Sequence, residues 1–95
     1  MSQDEEVVVV PIEDALDLHT FQPRDVPIAV EGYLEAARER GFREVRLIHG
    51  KGKGVQRAIV RRILAGSPHV ERFEDAPLGR GTWGATVAWL RPALD

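Results

Sequence analysis

Two short stretches of this sequence combine residue types that can carry proton transfer and anion binding. Asp17 and His19 are separated by one residue, and a second histidine, His49, opens the run His-Gly-Lys-Gly-Lys-Gly that ends at Gly54. Histidine titrates near neutral pH and acts as a general base or acid, and a nearby carboxylate can hold its ring in one tautomer. Glycines let backbone N–H groups approach a phosphate, and Lys51 and Lys53 add positive charge. Both stretches therefore indicate acid–base chemistry on a phosphate-containing ligand.

Each stretch also has a purely structural interpretation. A glycine-lysine loop between a strand and a helix is often only a tight turn, and a histidine at a strand end is often structural. The loop is not a Walker A loop, because Val55 follows it where that motif needs a lysine and a hydroxyl. Asp17, His19 and His49 could supply metal ligands, but neither H-x-x-x-H nor H-E-x-x-H occurs, so no metal site is predicted.

Hydropathy patterning predicts which elements carry these residues. Residues 15–19 alternate as a strand with Leu16 and Leu18 on the buried face, so Asp17 and His19 share the other face. A helix is predicted over residues 23–40, with a buried stripe made of Val26, Val30, Tyr33, Leu34 and Ala37. Residues 44–49 form the next predicted strand, and residues 7–10 are a candidate edge strand.

The second half of the chain continues the alternation of helix and strand. A helix is predicted over residues 55–65, with Val55, Ala58, Ile59, Ile63 and Leu64 facing inward. Three arginines of this helix are predicted to face outward and bind phosphate: Arg57, Arg61 and Arg62. Two further strands are expected at residues 69–73 and 85–90. Residues 14–92 are thus expected to form one domain after a tail at residues 1–13.

The β-α-β-α-β-β order predicts an α/β fold and brings the chemical residues together. Two right-handed crossovers imply parallel pairing of the first three strands, and the last two strands are compatible with an antiparallel hairpin. Since the carboxyl ends of parallel strands meet at one edge of a sheet, Asp17, His19, His49 and Lys51 are expected to converge there.

Charge is distributed very unevenly along the 95 residues. Residues 38–62 hold nine basic and two acidic side chains, a net of +7, although the whole chain carries −2. Such a block is typical of a phosphate-binding surface, or else of a merely solvated face. The absence of cysteine excludes disulfides and thiolate metal sites. No apolar run approaches the roughly 18 residues of a membrane span, and a cytoplasmic protein is expected.

Three motifs follow one another along the chain: L-D-L-H at residues 16–19, V-R-L-I-H-G-K-G at residues 45–52 and G-A-T-V-A-W-L at residues 84–90. In this order they resemble the Smr (small MutS-related) domain, including its small stand-alone members. The resemblance implies a two-layer α/β sandwich with a mixed four-stranded sheet, like the C-terminal domain of translation initiation factor three. It also implies nucleic-acid binding, with endonuclease activity in several members, in DNA repair, recombination control or cleavage of messenger RNA at stalled ribosomes.

By motif position, the resemblance assigns roles to individual residues. Asp17 and His19 match the family's D-x-H pair, which is linked to cleavage. The H-G-x-G loop corresponds to His49, Gly50, Lys51 and Gly52, and the threonine of the late G-A-T motif to Thr86. The chain departs from the family at Thr20, where glycine is common.

Three functions remain in competition at this stage. An endonuclease would use Asp17, His19 and His49 for proton transfer, with Mg²⁺ or Mn²⁺ needed if DNA is the substrate. A non-catalytic module would grip phosphates with the same loop and arginines. A third interpretation is a protein-interaction domain within a larger assembly such as the ribosome.

Overall fold

The structure, a computed structural model, describes residues 13–50, 54–77 and 84–92. Its elements in chain order are β1 (Ala15–Asp17), α1 (Val26–Glu39), β2 (Glu44–Ile48), α2 (Val55–Gly66), β3 (Val70–Asp75) and β4 (Ala85–Leu90). A short 3-10 helix, Pro23–Asp25, leads into α1. The candidate strand at residues 7–10 lies outside the described residues. Neither described helix is long and apolar enough to cross a membrane.

Helix α1 forms as its sequence predicts. The five residues of its predicted stripe are all buried. Pro27 is the second residue of the helix, where its missing N–H has no intrahelical acceptor to lose. At the other end Gly41 has a φ of +87°, and the N–H of Phe42 donates to the carbonyl of Ala37 at 3.0 Å. This left-handed glycine cap ends the helix and turns the chain into β2.

The four strands form a mixed sheet in the order β1-β2-β4-β3. β1 and β2 are parallel, while β4 is antiparallel to both β2 and β3. Direct parallel pairing of β3 with β2 was therefore predicted wrongly, because β4 lies between them. The uncharged sequence A-T-V-A-W-L suits the covered central position, whereas V-E-R-F-E-D carries charges that an edge strand keeps in water. The mixed four-stranded α/β fold itself is confirmed.

This topology defines one edge of the sheet, here called the C-terminal edge. β3 runs in the same direction as β2, because both are antiparallel to β4. The carboxyl ends of β1, β2 and β3 therefore meet at this edge, together with the start of β4. Residues 49–54 connect the end of β2 to the start of α2.

The helices bury one face of the sheet. The core-facing stripe of α2 begins at Ile59, one turn further along the helix than predicted. Val60 and Leu64 of α2 are buried, with Ile59 and Ile63 packed beside them. Val55 is 53% exposed, and Ala58 is also exposed, so the inward orientation predicted for these two was wrong. The core-facing residues form two i, i+4 pairs in the middle of the helix, which leaves its first turn free of core contacts.

Candidate functional site

The Asp17–His19 pair lies at the end of β1 with both side chains exposed. Between them Leu18 is fully buried, and its N–H donates to the carbonyl of Ile48 at 2.7 Å. One carboxylate oxygen of Asp17 lies 2.6 Å from His19 Nδ1 and accepts the His19 backbone N–H at 3.0 Å. These hydrogen bonds, first that of the His19 side chain and then that of its backbone, lower the pKa of Asp17.

An ionised carboxylate only accepts, so Nδ1 of His19 is the donor in this contact. Nδ1 carries the proton that is donated to Asp17, and a neutral ring then presents the lone pair of Nε2 on the side away from the carboxylate. The His19 side chain is 56% exposed, so a ligand can approach the ring from solvent. The predicted shared face of Asp17 and His19 is thus present, with the geometry of a base and its orienting acid.

Gly50 forms the wall beside His19. It has a φ of +86°, and a Cβ atom built on it would lie 3.2 Å from the Cβ of His19. The backbone N–H groups of His49 and Gly50 both donate to the carbonyl of Gly84, at 2.8 and 3.0 Å. This position therefore combines a left-handed conformation with close side-chain contact, and only glycine satisfies both.

The second histidine has different surroundings from the first. His49 is 4% exposed; its Nδ1 lies 3.2 Å from the carbonyl oxygen of Gly50 and its Nε2 lies 2.9 Å from Thr86 Oγ1. A carbonyl only accepts, so Nδ1 donates to it and Nε2 accepts the Thr86 hydroxyl proton. Burial lowers the pKa of His49, and the positive charge of Arg57 lowers it further. The ring is therefore neutral, with both nitrogens engaged.

Two arginines of α2 extend toward the C-terminal edge and meet one carboxylate. Arg57 Nη2 and Arg61 Nη1 lie 2.7 and 3.1 Å from the same oxygen of Asp75, the last residue of β3. The hydrogen bond from Arg57 is the largest cause of a lowered pKa at Asp75. Both arginines are only about a third exposed, at 32% and 31%, so they are less outward than predicted because Asp75 and the Phe73 ring hold them against the sheet.

The structure brings together most of the residues that the sequence singled out. Gly50 touches His19, Thr86 bonds His49, and Gly54 is the N-cap of α2 with a φ of +85°. Arg62 is exposed as predicted. Three predicted phosphate-binding residues lie outside the described residues: Lys51, Gly52 and Lys53.

Two participants were missed by sequence reasoning. Asp75 was not singled out, although the carboxyl end of a third co-directional strand belongs at the same edge. Gln56, at the start of α2, donates a side-chain hydrogen bond to the carbonyl of Phe21 and so ties the helix to the turn that follows His19. No sequence pattern pointed to that bond. Within residues 13–50, 54–77 and 84–92, no three His, Asp or Glu side chains are grouped to hold a metal ion.

Comparison with known proteins identifies the fold independently. A sequence model described as the Smr domain matches residues 16–91. The endonuclease MutS2 of Thermus thermophilus is 42% identical over 77 residues, which cover 81% of this chain and 10% of that protein. The endonuclease MutS2 of Caldicellulosiruptor bescii is 38% identical over 80 residues, which cover 84% and 10%. The chain thus spans about a tenth of the length of these relatives.

Two solved structures share the architecture. The crystal structure of the Smr domain of Thermus thermophilus MutS2 superposes with a TM-score of 0.81 at 40% identity and covers 84% of this chain and 100% of that one. YdaL, a stand-alone small MutS-related protein from Escherichia coli, superposes with a TM-score of 0.79 at 28% identity and covers 85% and 66%. The resemblance seen in the sequence is confirmed: the chain belongs to the Smr domain family.

Proposed function

We propose that this Smr domain binds nucleic acid across its C-terminal edge and cleaves a phosphodiester bond beside His19. The observation that carries the proposal is the exposed Asp17–His19 pair, whose 2.6 Å contact leaves an imidazole nitrogen free at a strand end walled by glycine. Two relatives named as endonucleases are 38% and 42% identical to this chain over 80 and 77 residues. Arg57 and Arg61, which belong to the net positive block at residues 38–62, lie at this edge and supply charge for binding the phosphate backbone.

On RNA, the chain's own groups account for the first proton transfer. His19 Nε2 accepts the proton of a ribose 2′-hydroxyl, and the 2′-oxygen then attacks the adjacent phosphorus. The bond from phosphorus to the 5′-oxygen breaks and leaves a 2′,3′-cyclic phosphate, while the departing oxygen takes a proton. Asp17 keeps the ring oriented and stabilises the imidazolium formed in this step. On DNA, His19 would activate a water molecule, and a divalent metal ion such as Mg²⁺ or Mn²⁺ would assist.

His49 enters this scheme differently from the two-histidine mechanism expected from the sequence. Its ring is buried and both nitrogens are engaged, so direct proton transfer to a substrate would require these hydrogen bonds to break. We therefore assign His49 a positioning role, in which it holds the Gly50 carbonyl and thus the wall beside His19. The departing oxygen then takes its proton from His19 imidazolium or from water.

The competing function is a module that binds nucleic acid, or a nucleoprotein assembly such as the ribosome, without cutting. The burial of His49 favours it, because only one imidazole then remains accessible at the edge. Thr20, which follows His19 where related domains commonly have glycine, also favours it. In this alternative the basic residues grip phosphates and the Asp17–His19 pair is structural.

A cleavage assay separates the two functions. Labelled single-stranded RNA, duplex DNA and branched DNA are incubated with wild-type protein, His19→Ala and Asp17→Asn, with and without EDTA. An endonuclease loses roughly 10²-fold or more in rate with His19→Ala, the usual scale of a lost general base, while fold and affinity persist. His69→Ala is the matched control, since His69 precedes β3 at the opposite edge. Wild-type protein that binds but yields no more product than His19→Ala would establish the binding module.

A further inference from the structure

Arg57 and Arg61 form an anion-binding site that the carboxylate of Asp75 occupies. They lie four residues apart on α2, so their side chains project from the same side of the helix. Both donate to a single oxygen of Asp75, at 2.7 and 3.1 Å. Two guanidinium groups that converge on one oxygen are also the arrangement that holds a phosphate oxygen. Asp75 is half-exposed, so a ligand can reach the pair from solvent.

The location of this cluster connects it to the cleavage site. Asp75 pairs with Thr86 across β3 and β4, and Thr86 bonds His49. β1 and β3 are separated by three strand spacings, or about 14 Å. Since duplex DNA rises about 3.4 Å per nucleotide, a nucleic-acid strand that reaches both His19, after β1, and Asp75, at the end of β3, presents different phosphates to them.

Asp75 does not satisfy the arginines completely. Nε of Arg57 is buried and has no hydrogen-bond partner among the described residues. The carboxylate reduces the charge of the three-residue cluster from +2 to +1, which weakens its attraction for a polyanion. A phosphate that engages the pair must either displace Asp75 or share the guanidinium groups with it, and either process reduces the net gain on binding.

We infer that Asp75 is an internal competitor that occupies, in the free domain, the place of a nucleic-acid phosphate on Arg57 and Arg61. This inference rests on the proposed function and adds to it a determinant of affinity away from the cleaved bond. Asp75 lowers the affinity for phosphate backbones in general, so that productive binding depends more on contacts near His19. A supporting carboxylate that merely holds the arginines ready for phosphate would act in the opposite direction, and the two roles differ in the sign of a measurable effect.

The test is Asp75→Asn, which keeps the shape of the side chain and removes its charge. Affinity for single-stranded RNA and duplex DNA is measured by fluorescence anisotropy over a range of salt concentrations, in a His19→Ala background that prevents cleavage. Release of about one more counterion should steepen the slope of log affinity against log salt by about 0.7–0.9. If the two proteins bind equally at 1 M salt, that difference in slope corresponds to about four- to sixfold tighter binding by Asp75→Asn at 0.15 M.

The matched control is Glu74→Gln, which removes the same charge from the adjacent residue. Glu74 pairs with Arg72 at 2.7 Å instead of the α2 arginines. Asp75→Asn should tighten binding clearly more than Glu74→Gln, with urea denaturation confirming that both variants fold. Equal effects, or weaker binding by Asp75→Asn, would overturn the competitor role.

Inorganic phosphate separates this inference from the proposed function. Titration is followed by the NMR signals of the Arg57 and Arg61 side chains, whether or not any nucleic acid binds. Those signals should respond at several-fold lower phosphate concentration in Asp75→Asn than in wild-type protein. The same response in both proteins would contradict the competitor role even if wild-type protein cleaves RNA. A lower response concentration with no nucleic-acid binding would support the anion site and refute only the proposed function.

Discussion

Replacing Gly50 by alanine tests whether the glycine wall determines the position of His19. The added Cβ lies 3.2 Å from the His19 Cβ, so one of the two must move by a few tenths of an ångström. Gly41→Ala is a close structural control: its φ is +87°, against +86° for Gly50, but its Cβ would meet no atom within 4 Å. The pair of variants therefore separates backbone strain from contact with the catalytic candidate.

The expected magnitudes follow from that geometry. A non-glycine residue in the left-handed region costs about 1–2 kcal/mol, and both variants should lose that much free energy of unfolding. Gly50→Ala should lose somewhat more because of the His19 contact. Domains are typically stable by about 5–15 kcal/mol, so both variants should remain folded. Since misplacing a reacting group by about 1 Å can cost about 10²-fold, a shift of tenths of an ångström should slow cleavage by roughly tenfold in Gly50→Ala alone.

Three measurements on each variant decide the outcome. Urea denaturation gives the free energy of unfolding, the cleavage assay gives the rate, and the NMR signals of the His19 ring report its environment. Gly41→Ala should be destabilised but fully active, with His19 signals like those of the wild type. Cleavage that is unchanged in Gly50→Ala, or reduced equally in both variants, would refute the proposition that contact with Gly50 positions His19.

Two further predictions concern the buried histidine. Thr86→Val keeps the shape of the side chain but leaves the buried His49 Nε2 without its hydrogen-bond donor. Urea denaturation should therefore show a loss of about 1–3 kcal/mol in the free energy of unfolding. The control Thr20→Val, at an exposed position, should lose almost none. The second prediction concerns pH. Folding lowers the pKa of His49 from its usual value of 6.5, so the unfolded chain binds a proton first as the pH falls. The folded state should therefore lose stability below about pH 6.5. That loss, at most about 1.4 kcal/mol per pH unit for one proton, should disappear in His49→Gln, and identical pH profiles between pH 8 and 5 would contradict it.

The parts of the site that sequence could predict follow from local periodicity and from the geometry of parallel strands. Alternation in β1 buries Leu18 and leaves Asp17 and His19 on the other face, and this is what the structure shows. A parallel crossover brings the ends of β1 and β2 to one edge, which explains why His19 meets Gly50 across more than thirty residues. The first inference depends on the alternation of side chains along a strand, and the second on the right-handed connection between consecutive parallel strands.

The features that the sequence did not predict depend on which strands are neighbours in the sheet and on how α2 is rotated about its axis. The position of β4 between β2 and β3 puts Thr86 beside both His49 and Asp75, and no local pattern specifies that pairing. The burial of His49 was partly predictable, because it continues the alternation of Val45 and Leu47, whose side chains face the helices. The pairing of the α2 arginines with Asp75 required both the strand order and the helix rotation.

The unequal burial of His19 and His49 explains how the exposed imidazole of His19 can be held in position at the end of a three-residue strand. A three-residue strand offers few hydrogen bonds of its own, so the position of His19 must be set by its neighbours. Thr86 is anchored in the central strand and bonds His49, His49 bonds the Gly50 carbonyl, and Gly50 touches His19. A charged imidazole would be costly inside this path, and the lowered pKa of His49 keeps its ring neutral. The same residue type thus serves as a fixed structural link when buried and as the candidate proton acceptor when exposed.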